Sequence, residues 1–351
     1  MKASRYYGRH DIRVDDIPEP ELLPGTVKIK VDWTGICGTD LHEYEDGPIF
    51  CPAAGQPHPL TGEEVPVVLG HEFAGIATEV ADGVTHIKVG DKVAVDPIYS
   101  CGECAPCQEG AYNLCVTAGY VGLTGRGGGF AEYAVVQADR VHDLGDVPTD
   151  IGALVEPLAV AHHAVRRSEA KPGDTVVVFG AGPIGLFVVS ILRAKGIERV
   201  ISVEMSSIRK AKAERAGAML VLDPSEVDVV ERIREETGGL GADIAFECVG
   251  VNAAIQSAIA ALRFHGTCVN VSIWGQKAEI DMLPLVMKEI RLTGSFAYQN
   301  DHAPVIELLK AGKLDVADFI TGRIAVEDVY EKGFRQLIEN KEENVKILVH
   351  P

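Results

Sequence analysis

The chain has 351 residues, 46% hydrophobic and 24% charged, with a formal net charge of −18. That length can form two separate cores, and the acidic balance argues against nucleic acid or an anionic membrane surface as partner. No apolar run reaches the ~20 residues that span a bilayer. The start Met1-Lys2-Ala3-Ser4-Arg5-Tyr6-Tyr7 has no apolar signal core, so a cytoplasmic location is expected.

To about residue 150 the chain reads as short alternating runs broken by Gly, Pro and Asp. Val27-Lys28-Ile29-Lys30-Val31, Phe73 to Val80, Lys92 to Val95 and Ala131 to Val136 predict half-buried strands, with no sustained helical period among them. A helix is expected over Gly152 to Arg167. Six apolar strands then alternate with helical stretches, at Thr175 to Phe179, Arg199 to Val203, Met219 to Leu222, Ile244 to Cys248, Thr267 to Ser272 and Ile290 to Gly294. This pattern predicts a doubly wound parallel sheet covered on both faces. Two amphipathic segments (Ala303 to Lys310, Val326 to Glu339) and a strand at Val345 to Val349 follow, and they are expected to return to the first domain.

Cys37, His71 and Glu156 supply a thiolate, an imidazole and a carboxylate, each beside Gly or Pro. As a set they suit zinc with one open position, although their spacing does not show that they meet. Such a metal stabilises a developing alkoxide, which is what hydride loss from a secondary alcohol requires. Thr39 and His42 follow closely and offer a proton path from the metal toward solvent; alternatively Thr39 caps a turn and His42 is merely exposed. Glu72 reads as a group that orients a ligand or binds zinc alternately.

Cys101-x2-Cys104-x2-Cys107-x7-Cys115 offers four thiolates in one loop and predicts a closed, structural zinc. Cys248 and Cys268 read as buried inert thiols, and the pattern gives Cys51 no place. Gly180-Ala181-Gly182-Pro183-Ile184-Gly185 follows an apolar strand and opens a helix, the context of the dinucleotide fingerprint. Glu204, closing the next strand, is placed to accept a ribose 2′-hydroxyl and to repel a 2′-phosphate, which favours NAD over NADP. Arg209 reads equally as an adenine neighbour or a solvated surface charge.

Taken together, Gly70-His71-Glu72-x-x-Gly75, the four-cysteine loop and the glycine fingerprint resemble the zinc-dependent medium-chain alcohol and polyol dehydrogenases along essentially the whole chain. Glu156-Pro157-Leu158 resembles their polyol and butanediol branch. The stretches Asp40 to Phe50, Gly55 to Thr61 and Val271 to Trp274 are similar to (R,R)-butanediol dehydrogenases. The resemblance implies a GroES-like domain over residues 1–153, completed by 296–351, and a Rossmann domain over 154–295. It implies Cys37, His71 and Glu156 as catalytic zinc ligands, a relay through Thr39 and His42, and two zinc ions per chain. The cofactor would be lined by Gly180, Gly182, Pro183, Ile184, Gly185, Glu204, Arg209, Val249, Ser272, Ile273, Trp274, Phe296, Ala297 and Tyr298.

The reaction implied is NAD-linked interconversion of a small vicinal diol and its hydroxyketone, in a homodimer or homotetramer. One departure is Ala297, where sorbitol-type members carry arginine; its absence favours a small diol over a long polyol. Phe50, Ile98 and Trp274 are candidate pocket walls. The rival readings are a sorbitol-type polyol or threonine dehydrogenase with the same zinc chemistry and, more distantly, a zinc- and NAD-binding protein without turnover.

Overall fold

The computed structural model describes all 351 residues, which form two compact units. The first comprises Met1–Glu156, His302–Lys310 and Ile320–Pro351, and the second comprises Pro157–Asp301 and Ala311–Phe319. Residues 296–301 and 311–319, expected with the catalytic domain, therefore cluster with the second unit, while 154–156 join the first.

The first unit is built on a seven-stranded sheet. Its central strand, Thr26–Gly35, pairs antiparallel with Glu72–Val80, Tyr133–Gln137 and Lys346–His350. Val27, Ile29 and Val31 alternate into a core with Phe73, Val93 and Val95, as the period-two pattern requires. Register decides what happens at one end of these strands. Gly35 lies opposite Glu72, and Leu348 lies opposite Gly35. Cys37, His71 and Lys346 therefore all fall one or two steps beyond the same paired residues. Gly35 is required here, because a Cβ would sit 2.0 Å from Glu72 Oε2.

A nine-residue helix, Gly38–Asp46, follows Cys37 in a region where the sequence sustains no helical period. Its buried residues are Asp40, Glu43 and Tyr44, so it shows no apolar stripe for a periodicity reading to find. The strand Ile320–Ala325, which no sequence pattern marks, pairs parallel with Lys346–His350.

The second unit holds six parallel strands in the spatial order Leu220–Leu222, Arg199–Val203, Thr175–Phe179, Ala242–Glu247, Leu262–Asn270, Arg291–Gly294. The order reverses at Thr175–Phe179, which is the doubly wound arrangement expected, and ligands of such sheets bind beyond the carboxyl ends of the strands. No helix of the chain is long and apolar enough to cross a membrane.

Candidate active site and metal centres

Cys37 caps the helix Gly38–Asp46 through its backbone, its amide donating to Asp40 Oδ2 at 2.9 Å. His71 is buried, with Nδ1 3.5 Å from Asp40 Oδ1, so one buried carboxylate holds the thiol's loop and lies beside the imidazole. The donor atoms of Cys37, His71 and Glu72 lie within 4.8 Å of one another. Burial opposes a charge on His71, yet Asp40 and Cys37 raise its pKa well above 6.5. A pocket so rich in anionic donors is suited to a cation.

Glu72 differs from a free ligand. Both of its oxygens accept from Lys346 Nζ, at 2.8 and 2.7 Å, and both residues are buried. Glu156 stands outside the three-residue group, buried in the first turn of Val155–Ser168. Its charge nevertheless helps to raise the pKa of Lys346, after the larger influences of burial, Glu72 and Cys37. Thr39 Oγ1 is 3.6 Å from Cys37 Sγ. His42, on the same helix face three residues on, is 45% exposed, with Nδ1 4.0 Å from Asp46.

Cys101, Cys104, Cys107 and Cys115 meet as expected. The sulfur pairs 104–107, 101–115 and 101–107 are 3.4, 3.6 and 4.0 Å apart. Tetrahedral zinc with Zn–S bonds of about 2.3 Å places its sulfurs about 3.8 Å apart, whereas a disulfide requires about 2.05 Å. The cage therefore fits zinc. The backbone amides of Glu103 and Cys104 pull the Cys101 thiol down to about 6, which favours the thiolate a metal needs. A third cluster, Asp96, His142 and His302, is of another kind. The Asp96 carboxylate accepts from Arg140, Tyr112 and the Ile98 amide at 3.1, 2.8 and 3.0 Å, making a buried hydrogen-bond network.

In the second unit the glycines act as the fingerprint requires. Gly180 has φ +91, and a Cβ on Gly185 would sit 1.8 Å from the Gly180 carbonyl, so both are fixed by packing. A Cβ on Gly182 would meet no protein atom within 4 Å, which leaves open the backbone approach a pyrophosphate needs. Pro183 and Ile184 open the helix Pro183–Ala194. Glu204 accepts from the Ala181 amide at 2.8 Å and from the amides of Met205 and Ser206 at 2.8 and 3.0 Å, which sets its carboxylate beside the glycine loop. Arg209 lies in the helix Ser207–Arg215, its amide capped by Ser206 Oγ.

The remaining cofactor candidates follow carboxyl ends of strands. Val249 comes after Ala242–Glu247, Ser272 to Trp274 after Leu262–Asn270, and Phe296 to Tyr298 after Arg291–Gly294. Val249, Ile273 and Phe296 are exposed, whereas Tyr298 is 1% exposed and serves the core. Sequence reasoning missed Glu247, which is fully buried. It accepts from the amides of Val249 and Gly250 at 2.7 and 2.8 Å and from the Ser272 hydroxyl, tying two of these loops together. It also missed Asp40 and Lys346. A lysine inside the apolar run Val345 to Val349 was the available signal for the latter.

Residues 23–146 match the alcohol dehydrogenase GroES-like domain, and residues 183–311 match the zinc-binding dehydrogenase family. The whole chain is 49% identical to the (R,R)-butanediol dehydrogenase of Neisseria gonorrhoeae, covering 99% of that protein. The crystal structure of 2R,3R-butanediol dehydrogenase from Bacillus subtilis matches at 46% identity with a TM-score of 0.93, covering 100% of this chain and 99% of that one. A zinc-binding dehydrogenase of Sinorhizobium meliloti, solved bound to NADP, matches at 33% identity with a TM-score of 0.89, covering 100% and 99%.

Proposed function

Because the chain belongs to the zinc-dependent, GroES-like alcohol dehydrogenases, we propose that it interconverts butane-2,3-diol and acetoin with NAD as hydride acceptor. The observation that carries this reading is 49% identity along the entire chain to a relative named for that reaction. Cys37, which is half-buried, and the buried His71 and Glu156 would supply the donors the reading needs. With the oxygens of Glu72 committed to Lys346, Glu156 is taken as the third ligand. Zinc held there would stabilise negative charge on the alcohol oxygen.

The chain's own residues do the rest. Thr39 receives the alcohol's proton, and His42 carries it toward solvent. The hydride would pass to NAD from the carbon bearing that oxygen, so the alcohol would lose a proton and a hydride, two electrons and two hydrogens in all. The glycine loop holds the pyrophosphate and Glu204 the ribose; a carboxylate at that position disfavours NADP, the cofactor of the S. meliloti relative. Ala297 removes the guanidinium a long polyol would use.

We also take the chain to be a homo-oligomer in the cytoplasm. Arg291–Gly294 is an edge strand, and Met282, Leu283, Val286 and Met287 on the preceding helix are exposed, an apolar surface suited to a second copy. None of the eight cysteines is in a disulfide, which suits a reducing compartment.

The test is initial rates for the stereoisomers of butane-2,3-diol, sorbitol and threonine, each with NAD and NADP. The diol with NAD is expected to give the highest kcat/KM. A tenfold preference for sorbitol or threonine overturns the substrate, and a preference for NADP overturns the role of Glu204.

A further inference from the structure

Tyr120 lies on the short strand Gly119–Tyr120, paired antiparallel with Ile98–Tyr99. Its backbone is closely held: the amide donates to Thr124 Oγ1 at 2.7 Å, and the carbonyl accepts from the Leu123 amide at 3.1 Å. Two residues on, Gly122 packs so tightly on the peptide before His71 that a Cβ there would sit 2.1 Å from the Gly70 carbonyl and 3.0 Å from the His71 amide. The strand is thereby anchored to the backbone that carries the imidazole ligand. Within this rigid setting the Tyr120 hydroxyl is buried and has no hydrogen-bond partner in the protein.

The ring is positioned as well. Phe50 meets Tyr120 edge to face, with centroids 6.2 Å apart and planes at 75°. Phe50 is held in turn by Glu43, whose fully buried carboxylate accepts the amides of Ile49, Phe50 and Cys51. Burial first, and then the charge of Glu156, raise the phenol's pKa far above 10, so it stays protonated and can only be satisfied as a neutral donor or acceptor. Glu156 is the strongest charged influence on this hydroxyl.

A buried hydroxyl without a partner is unfavourable by roughly 1–3 kcal/mol and calls for an explanation. We propose that the Tyr120 hydroxyl hydrogen-bonds the non-reacting oxygen of a vicinal diol or hydroxyketone, so that substrates with oxygen on adjacent carbons are preferred to simple secondary alcohols. The inference rests on the diol reading above and deepens it: one oxygen is addressed by the metal ligands, the neighbouring one by the phenol. A site built to bond a substrate hydroxyl rejects the analogue lacking it, because the protein group is then left unpaired.

The experiment compares Tyr120→Phe with wild type on two matched pairs, butane-2,3-diol against butan-2-ol with NAD, and acetoin against butanone with NADH. The variant is expected to lose tenfold or more in kcat/KM on the diol and on acetoin, and less than twofold on butan-2-ol and butanone. KM for NAD should be unchanged. Equal losses on both members of a pair, or no loss on the diol, overturn the proposal. Because the lost oxygen has no protein partner, the variant's Tm should match or exceed that of wild type; a fall of several degrees shows a structural role and also overturns it. Wild-type rates on the diol judge the function separately, since the change in ratio is read on whichever vicinal diol the enzyme accepts.

Discussion

Lys346 Nζ lies 2.8 and 2.7 Å from the two oxygens of Glu72, across 274 residues of sequence, with neither residue exposed to solvent. A third bond, to the Ile36 carbonyl at 3.1 Å, ties the ammonium to the residue preceding Cys37. Burial opposes the charge on Lys346, but Glu72 and Cys37 outweigh it and its pKa is raised. Removing one partner of such a pair leaves a bare buried charge, at a cost of about 3–5 kcal/mol. Lys346→Met is expected to lose that much in denaturant unfolding, and adding Glu72→Gln should restore a large part. A loss below about 1 kcal/mol for the single change would show that the pair does not hold the site.

The four-thiolate cage makes a separable claim about metal content. Cys104→Ser should bind one zinc per chain where wild type binds two, and residues near 100–116 should become the first site of limited proteolysis. Unchanged zinc content by elemental analysis would remove the cage from the metal account.

At the other centre the expected loss is of chemistry. Cys37→Ser should reduce turnover by about a thousandfold or more, while NADH affinity, read from its fluorescence, stays within about twofold, because the residues proposed to hold the dinucleotide lie in the other unit. If turnover survives, Cys37 is not a ligand of a catalytic metal.

Glu204→Gln retains an oxygen that can still accept from the Ala181 amide but removes the charge. The preference for NAD over NADP in kcat/KM should narrow by about tenfold or more, mostly through KM for NADP. An unaltered ratio would place cofactor selection elsewhere.

His142 predicts a pH dependence. Burial, and then the neighbouring His302 ring stacked at 5.1 Å, push its pKa down to about 4, with Asp96 opposing and Arg140 and His86 reinforcing. Between an unfolded value of about 6.5 and the folded value, the unfolded chain binds the extra proton. Stability is therefore lost as pH falls from about 6.5 toward 4, by up to about 1.4 kcal/mol per pH unit from this group. His142→Phe keeps a ring against His302 and should flatten this part of the Tm-against-pH curve relative to wild type; an identical slope would acquit the histidine.

Much of the scaffold was legible in the sequence because its signals are local. A thiol cage with two-residue gaps, a glycine loop between a strand and a helix, and six apolar runs each carry their meaning within a few residues. What escaped notice is held by polar burial. The helix Gly38–Asp46 hides Asp40 and Glu43, whose partners are backbone amides at Cys37 and at Ile49 to Cys51, so hydropathy reads its inner face as solvent-facing. Cys51 finds its place by the same device: its amide is tied to Glu43, and burial pushes its thiol well above the usual range. What sets Glu72 apart from Glu156 is a lysine 274 residues further along the chain, which no spacing could reveal.

The late arrival of that lysine has a consequence for how the enzyme is made. A nascent chain translated through its first three hundred residues already contains Cys37, His71, Glu72 and Glu156, but not the strand Lys346–His350 that neutralises Glu72. Until that strand is made, Glu72 has no ammonium to balance it. The arrangement in which Glu72 is neutralised therefore exists only once that strand has been made and Lys346 has reached its acid.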